Sequence, residues 1–397
     1  MKVLVISHMY PKEYNPNYGI FVHEQVLALK KSGHELLVVS PTLYVPPLLD
    51  QLSSKWKGYK KQPQRACLDG ISVYYPRVFR LPGNLGLHLA GKVYYLQLSS
   101  FIRKLRKEFP FELIHAHVAL PDGQLGMLLK KDLNLPLVTS IHGQDFQTTI
   151  YRNKNCKKAV IEVLKSSDRV ITVSEKLKRI GQELCEDAHK YKTVHNGVNP
   201  EKVVEQGEER LLPEKGKRMI LSVGNLKKPK GHDLTVKAFG RIHDKYPDAC
   251  LVIIGDGPEM DPLKQLIRDL KLQDKVMLLG RQPHGEVLRY MQACELFVLP
   301  SWQEGFGVVY VEAMAHGKPV IGCRGQGIAD VIKDGENGIL VEPKSLEDLA
   351  HKMSELLENP ALGEKIGQRA RETVLEDLTW EKNAEKLDRI YRELVEK

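Results

Sequence analysis

The chain has no Asp-x-Asp pair, no Cys-x-x-Cys pair and no Cys/His cluster at metal-ligand spacing. Nucleotide handling through a carboxylate-bound divalent ion is therefore not indicated, and no metal requirement is expected. Six cysteines, at 67, 156, 185, 250, 294 and 323, offer neither a zinc site nor a disulfide framework. Cys250 and Cys294 sit in strand-like apolar runs and read as core thiols. There is no Gly-x-x-x-x-Gly-Lys-Ser/Thr loop, which argues against a P-loop kinase or ATPase, and no Gly-x-Gly-x-x-Gly follows the first strand. No apolar run approaches the length of a membrane-spanning helix. No basic segment and signal-length apolar stretch precede the first strand-like run, Lys2–Ile6. The expected location is the cytoplasm.

What is present is ordinary in bulk and uneven in charge. The 397 residues are 42% hydrophobic and 27% charged, enough for two domains with separate cores. The formal net charge is +9. Much of the excess falls between Lys55 and Lys107, where aromatics such as Trp56, Tyr59, Tyr74 and Phe101 interleave with lysine and arginine. Such a patch attracts acidic lipid head groups, nucleic acid or a diphosphate-bearing molecule. A solvated basic face is the plainer account.

Short β-branched runs alternate with helical patterns along the whole chain. Strands are predicted at 2–7, 35–40, 71–75, 112–117, 136–142, 169–173 and 191–195. A second series falls at 218–223, 250–255, 275–280, 295–300, 319–323 and 338–341. Helical spacing lies between them, as at Phe21–Lys31, Lys157–Ser167, Asp233–Tyr246, Glu259–Leu270 and Leu346–Leu357. Alternation of this kind predicts an α/β protein of parallel sheets covered by helices on both faces. The turn-rich Asn196–Pro200 and the charged Glu201–Lys217 mark a boundary. Two doubly wound, Rossmann-like domains are expected, 1–200 and 201–379, facing across a cleft. The helical segment 380–397 is expected to pack back on the first domain. Ligands in such folds bind at the carboxyl ends of strands, where strand order switches.

The most informative segment is Ser301–Ile321. Glu304 precedes Gly305 and Gly307, and an almost wholly apolar helical stretch, Val308–Ala315, carries Glu312 eight residues after Glu304. A helix apolar on all sides is normally buried, and a carboxylate inside it needs hydrogen-bond partners. An arginine or backbone amides would serve; so would the hydroxyls of a ligand. Glycines before the helix leave its first N–H groups open to an anion.

Other strand ends carry polar loops. Gly224-Asn225-Leu226-Lys227-Lys228-Pro229-Lys230-Gly231 offers glycine, three lysines and a helix start to a diphosphate, or is simply a solvated basic turn. Gly255-Asp256-Gly257-Pro258 allows close backbone approach by a ligand, though Pro258 and Glu259 also make an ordinary helix start. Gly280-Arg281 could offer a guanidinium to a base or phosphate. In the first half Gly19 lies in the loop after strand 2–7. His115 and His117 end one strand, and His142-Gly143 ends the next, placed to hydrogen-bond a ligand.

This ordered set resembles the family 4 glycosyltransferases, retaining enzymes of the GT-B fold, over nearly the whole chain. The resemblance implies transfer of a sugar from a nucleotide donor, a UDP- or GDP-sugar, with retention at the anomeric carbon. It implies that Glu312 binds ribose hydroxyls and Glu304 holds hydroxyls of the donor sugar. Backbone N–H groups of Phe306, Gly307 and Val308 would contact the sugar and diphosphate. Lys230 would neutralise the leaving diphosphate, and His142 would contact the donor sugar. Gly19 would let its loop close over the diphosphate. Gly224, Asn225, Gly257 and Arg281 complete the expected donor site. The family usually has Gly-Arg where this chain has Gly224-Asn225, so Lys227 or Lys228 must compensate, or the diphosphate is held less tightly. Ser7-His8-Met9-Tyr10-Pro11, Gly19–Val22 and His115-Ala116-His117 are similar to bacterial enzymes of teichuronic acid and exopolysaccharide assembly. That implies a lipid-linked or polymeric acceptor at the inner membrane face. Leu85–Lys107 fits either an interfacial helix on an anionic membrane or a helix packed on the sheet. The rivals are a nucleotide-sugar 2-epimerase of the same architecture and a basic nucleic-acid- or membrane-binding protein. The second rival has no use for the motifs of the second half, so nucleic acid is not an expected partner.

Overall fold

The computed structural model describes residues 1–46, 54–80, 85–200 and 217–396. The linker read over Glu201–Lys217 lies outside the described residues except for Lys217, as does the side chain of Lys55. The chain forms two compact units: Met1–Asn196 with Trp380–Lys397, and Gly197–Thr379.

In chain order the first unit contains β1 (Lys2–Ile6), α1 (Ile20–Lys31), β2 (Glu35–Val39), β3 (Thr42–Leu43), α2 (Ser54–Lys61), β4 (Arg65–Leu68), β5 (Ile71–Tyr74) and β6 (Arg77–Val78). It continues with α3 (Leu87–Glu108), β7 (Leu113–His117), α4 (Gln124–Leu133), β8 (Leu137–Ile141), α5 (Ile150–Arg152), α6 (Lys154–Ser166), β9 (Arg169–Thr172), α7 (Glu175–Leu184) and β10 (Tyr191–Thr193). Eight strands form one sheet in the order β10-β9-β8-β7-β1-β2-β5-β4. All pairings are parallel except β4 with β5. Val3 lies opposite Leu113 and Ile6 opposite Ala116, so β1 and β7 end side by side. The central strands β1, β7 and β8 are buried along nearly their whole length; β1 is apolar after Lys2, whereas β7 and β8 also bury His115, His117, Thr139 and Ser140. Strand order reverses between β1 and β7: the chain runs outward through β2 and β5, then returns to β1's other side.

The second unit contains β11 (Arg218–Val223), α8 (His232–Ile242), β12 (Ala249–Ile254), α9 (Met260–Asp269), β13 (Val276–Leu278), α10 (His284–Ala293), β14 (Leu296–Val298), α11 (Val308–Ala315), β15 (Val320–Cys323), β16 (Ile339–Val341), α12 (Leu346–Glu358) and α13 (Pro360–Asp377). Its six strands are ordered β13-β12-β11-β14-β15-β16, all parallel, and the reversal falls between β11 and β14. The last helix, α14 (Trp380–Val395), returns to the first unit, where Trp380, Ala384, Leu387, Ile390 and Tyr391 join the core that α1 covers.

Three sequence readings change. Arg65–Leu68 is an antiparallel edge strand that its mixed composition hid. Cys294 is buried, but at the end of α10 rather than inside a strand. Asp233–Tyr246 is not one helix: α8 stops at Ile242 and a 3₁₀ turn covers His243–Lys245. Helix α3 turns Leu87, Tyr94, Leu98, Ile102 and Leu105 inward. Leu89, Lys92, Leu96, Arg103, Lys104 and Lys107 face outward.

Candidate active site

In the second unit the reversal point gathers most of the expected donor-site residues. The loop after β11 carries Gly224, Asn225 and Lys230; the loop after β14 carries Glu304, Phe306 and Gly307. The two loops are tied by hydrogen bonds from Trp302 N to Pro229 O (3.0 Å) and Ser301 Oγ to Pro229 O (3.2 Å). Lys230 Nζ donates to Glu304 Oε2, an ion pair in which both side chains are largely buried. Glu304 Oε1 also accepts from Gly305 N (3.2 Å), and Gln326 Oε1 accepts from Glu304 N (3.2 Å).

Helix α11 begins where the sequence places it because Gly307, at φ 91°, takes a left-handed conformation as its N-cap. A Cβ there would lie 2.5 Å from the Tyr310 ring. Tyr310 is itself pinned by a hydrogen bond to Leu299 O. Among the described residues no acceptor is found for the N–H groups of Gly307, Val308 and Val309. They form a set of unpaired donors at a helix start, beside the Lys230–Glu304 pair. Phe306, the residue before them, is buried.

Among the described residues Glu312 is not tied to an arginine or to backbone amides. Its Oε1 lies 2.8 Å from His284 Nε2, at the start of α10. His284 was missed by sequence reasoning, and nothing local in the sequence signals it. His232, also missed, is buried at the start of α8; its Nδ1 meets Ser222 Oγ (3.0 Å) and its Nε2 has no hydrogen-bond partner among the described residues. Burial, and then Lys230, push the His232 imidazole down to about 4. Its signal was a polar residue on the same helical face as Thr235, Val236 and Phe239, immediately after Gly231.

Gly257 accommodates its own neighbour: a Cβ there would lie 2.4 Å from Leu226 O, and Leu226 N donates to Asp256 O. The close approach is by the adjacent loop. Asn225 and Arg281 are exposed. Lys228 donates to Asp233 (2.8 Å), which holds its ammonium above the usual range. Lys227 is exposed and makes no ion pair among the described residues.

In the first unit Gly19 caps α1 at φ 70°, and a Cβ there would overlap the Met9 carbonyl at 2.3 Å. His142 ends β8 with its ring 4.8 Å from that of Phe21 and its Nε2 3.0 Å from His117 Nδ1. Burial lowers the His142 imidazole to about 4. His142 Nδ1 and His117 Nε2 are enclosed without partners. His115 is different. Its two ring nitrogens are taken by Tyr391 of α14 (2.6 Å) and Ser140 (2.8 Å), so it has no capacity left for a ligand. The expectation that it faces one is corrected: it lies inside the sheet, wholly buried.

Two doubly wound units with polar loops gathered at a switch point are the architecture of the GT-B fold, and the family comparisons make the chain a glycosyltransferase. Residues 19–202 match the model described as Glycosyltransferase Family 4, and residues 204–373 match Glycosyl transferases group 1. The chain belongs to the family 4 glycosyltransferases. It is 30% identical to the N-acetyl-alpha-D-glucosaminyl L-malate synthase of Bacillus anthracis over 308 residues, 76% of this chain and 80% of that one. It is 28% identical to the putative teichuronic acid biosynthesis glycosyltransferase TuaC of Bacillus subtilis, over 99% of this chain and 98% of that one. Among solved structures, sucrose-phosphate synthase from Thermosynechococcus elongatus superposes with a TM-score of 0.80 at 21% identity, covering 99% of both chains. HepE of Anabaena, in complex with UDP, superposes with a TM-score of 0.74 at 18% identity, covering 99% of this chain and 100% of that one.

Among the described residues no three His, Cys, Asp or Glu side chains cluster to hold a metal ion, and no helix is long and apolar enough to cross a membrane.

Proposed function

We propose that this glycosyltransferase moves a sugar from a nucleoside diphosphate, UDP or GDP, to a lipid-linked or glycan acceptor in cell-envelope polysaccharide synthesis, with retention at the anomeric carbon. The observation that carries the donor assignment is the Lys230–Glu304 pair beside unpaired N–H groups at the start of α11. A diphosphate entering there replaces Glu304 as the partner of Lys230. Glu304 is then released to hold sugar hydroxyls. Glu312, steadied by His284, keeps its second carboxylate oxygen for ribose hydroxyls. Lys227 supplies the charge that Asn225 lacks. Neutralisation of the diphosphate is thus assigned to lysine and helix N–H groups, without a metal. The UDP bound to HepE is consistent with a nucleotide donor.

In the transfer itself, the acceptor hydroxyl forms a bond to the anomeric carbon as the bond from that carbon to the diphosphate oxygen breaks. The electron pair leaves with the diphosphate, and its oxygen takes the hydroxyl proton. The similarity to TuaC supports an envelope acceptor. The outward stripe of α3, Leu89 and Leu96 with Lys92, Lys104 and Lys107, supports peripheral contact with an anionic membrane. The protein is then cytoplasmic, at the inner face of the cell membrane.

Calorimetry and thermal-shift screening with UDP-, GDP- and ADP-sugars test the donor. Binding of one nucleotide class, with nucleotide released on turnover, is the expected result. Absence of binding by all three overturns the proposal, and an epimer formed from donor alone reassigns the reaction.

A further inference from the structure

We propose that His8, clamped by the buried carboxylate of Asp122, accepts a hydrogen bond from a hydroxyl of the sugar acceptor and orients it. This rests on the transferase reading above and names a residue of the first unit for the acceptor.

The two residues meet across the strand-order reversal of the first sheet. His8 lies just beyond β1 and Asp122 in the turn Ala119–Gly123 beyond β7, strands that pair in parallel and end together. This is where open α/β sheets bind ligands. Asp122 is wholly buried, yet no lysine or arginine pairs with it among the described residues. Its Oδ2 accepts twice from His8, from the backbone N (2.9 Å) and from Nδ1 (2.7 Å). That pair of bonds fixes the ring plane. In the neutral ring it also sets the tautomer, with the proton on Nδ1 and the lone pair on Nε2. Nε2 has no partner among the described residues and is not enclosed, and the His8 side chain is one quarter exposed. The imidazole therefore presents one oriented acceptor to solvent at a switch point.

A further observation points to a hydroxyl-bearing ligand. Asp122 Oδ1 and the neighbouring buried Asp145 Oδ2 both lack hydrogen-bond donors. Buried carboxylate oxygens left unpaired are costly, and a polyol supplies donors. The turn that carries Asp122 is also strained: Val118, a β-branched residue, is held at φ 71°. Strain of this kind persists where surrounding contacts over-determine it. Ala119 N donates to Asp145 Oδ1 (2.8 Å), and Gln124 bridges to Gly91 N (2.9 Å) and His88 O (2.9 Å) of α3.

The test separates a pin for the loop from a contact to the acceptor. UDP-glucose, UDP-N-acetylglucosamine and GDP-mannose are each offered with L-malate, glycerol or water alone, and nucleotide release is followed. UDP and GDP affinities are measured by calorimetry alongside. His8→Asn keeps a donor for Asp122 but loses the outward acceptor; His8→Gln restores an acceptor near the position of Nε2. The expected result is release slowed at least about tenfold in His8→Asn and His8→Ala, partial recovery in His8→Gln, and nucleotide affinity unchanged within about twofold in all three. Asp122→Asn, which loosens the ring, is expected to raise the acceptor KM more than it lowers kcat. A His8→Asn enzyme with wild-type release overturns the proposal, because the clamp alone is then what matters. A fall in nucleotide affinity equal to the fall in rate overturns it too. A wild type that binds neither UDP nor GDP overturns the donor reading on which this proposal rests, which these variants leave untouched.

Discussion

Lys230 and Glu304 lie 74 residues apart and neutralise each other in a largely buried setting. Removing one partner of such a pair leaves an uncompensated charge. Lys230→Ala is therefore expected to lower kcat about 100-fold, through lost stabilisation of the departing diphosphate, and to weaken nucleotide binding. Steady-state nucleotide release checks it; wild-type turnover contradicts the role. Glu312→Ala separates binding from chemistry. It is expected to raise the donor KM while changing kcat little, and an unchanged donor KM counts against its ribose contact. Gly307 combines a left-handed φ with a Tyr310 ring 2.5 Å from any added Cβ. Gly307→Ala should cost about 1–3 kcal/mol of stability and displace the N–H groups of α11. Urea unfolding with a parallel nucleotide-affinity measurement reads both. At this scale the sequence was informative about residue types and blind to partners. The spacing of Glu304, Gly307 and Glu312 was visible. The bonds from Glu312 to His284, 28 residues away, and from His8 to Asp122, 114 residues away, were not, because nothing local encodes a contact that only the sheet order creates.

Elements show the same division. Buried parallel strands tend to be apolar on both faces, so β1 and β12 stood out as apolar runs, β7, β8 and β11 showed mixed runs at the same rhythm, and helices fell between them at the expected places. Val308–Ala315 formed over the residues read from the sequence because Gly307 supplies its start and Gly317, at φ 68°, follows its end. The edge strand β4 was hidden because an edge needs no apolar alternation. Helix α14 is the element whose loss should be felt most in the first unit. It buries Trp380, Leu387, Ile390 and Tyr391, each contributing about 1.5–3 kcal/mol on burial. It also supplies polar partners: Asn383 to Gln25 (2.9 Å), Asp388 to His34 (2.9 Å) and Tyr391 to His115 (2.6 Å). Tyr391→Phe removes the last of these without opening a cavity. The buried His115 Nδ1 is then unpaired, at a cost of about 1–3 kcal/mol. Chemical denaturation of the variant checks this, and an unchanged midpoint denies His115 and Tyr391 a stabilising bond. The described first unit is built from both chain ends, so its core is incomplete until α14 has been made.

For the whole molecule, buried histidines set the response to acid. Burial lowers the imidazoles of His115 to about 3 and His142 to about 4, and that of His117 well below its usual value; all three are in the first unit. In the second unit His232 is lowered to about 4. Above pH 6.5 each is neutral whether the chain is folded or not, and contributes no slope. Below pH 6.5 the unfolded chain takes up protons that the folded chain refuses, so unfolding becomes easier by up to about 1.4 kcal/mol per group per pH unit. Asp145 acts in the opposite sense. Burial raises its carboxyl to about 6, so the folded first unit gains a proton near that pH that the unfolded chain takes up only near pH 4. Four histidines, counting His34, which burial also lowers, against one aspartate still leave the first unit losing stability as pH falls from 6.5 toward 4. The second unit, where burial lowers His232 to about 4 and also lowers His316, has fewer such groups and loses less. Thermal unfolding followed at pH 7.5 and pH 5 is expected to show a first-unit transition that moves to lower temperature by more than that of the second unit. His142→Gln should reduce the shift, since an amide in that place has no proton to take up in acid. Equal displacement of both transitions, or a His142→Gln protein as acid-sensitive as wild type, would show that the histidine line does not govern acid unfolding.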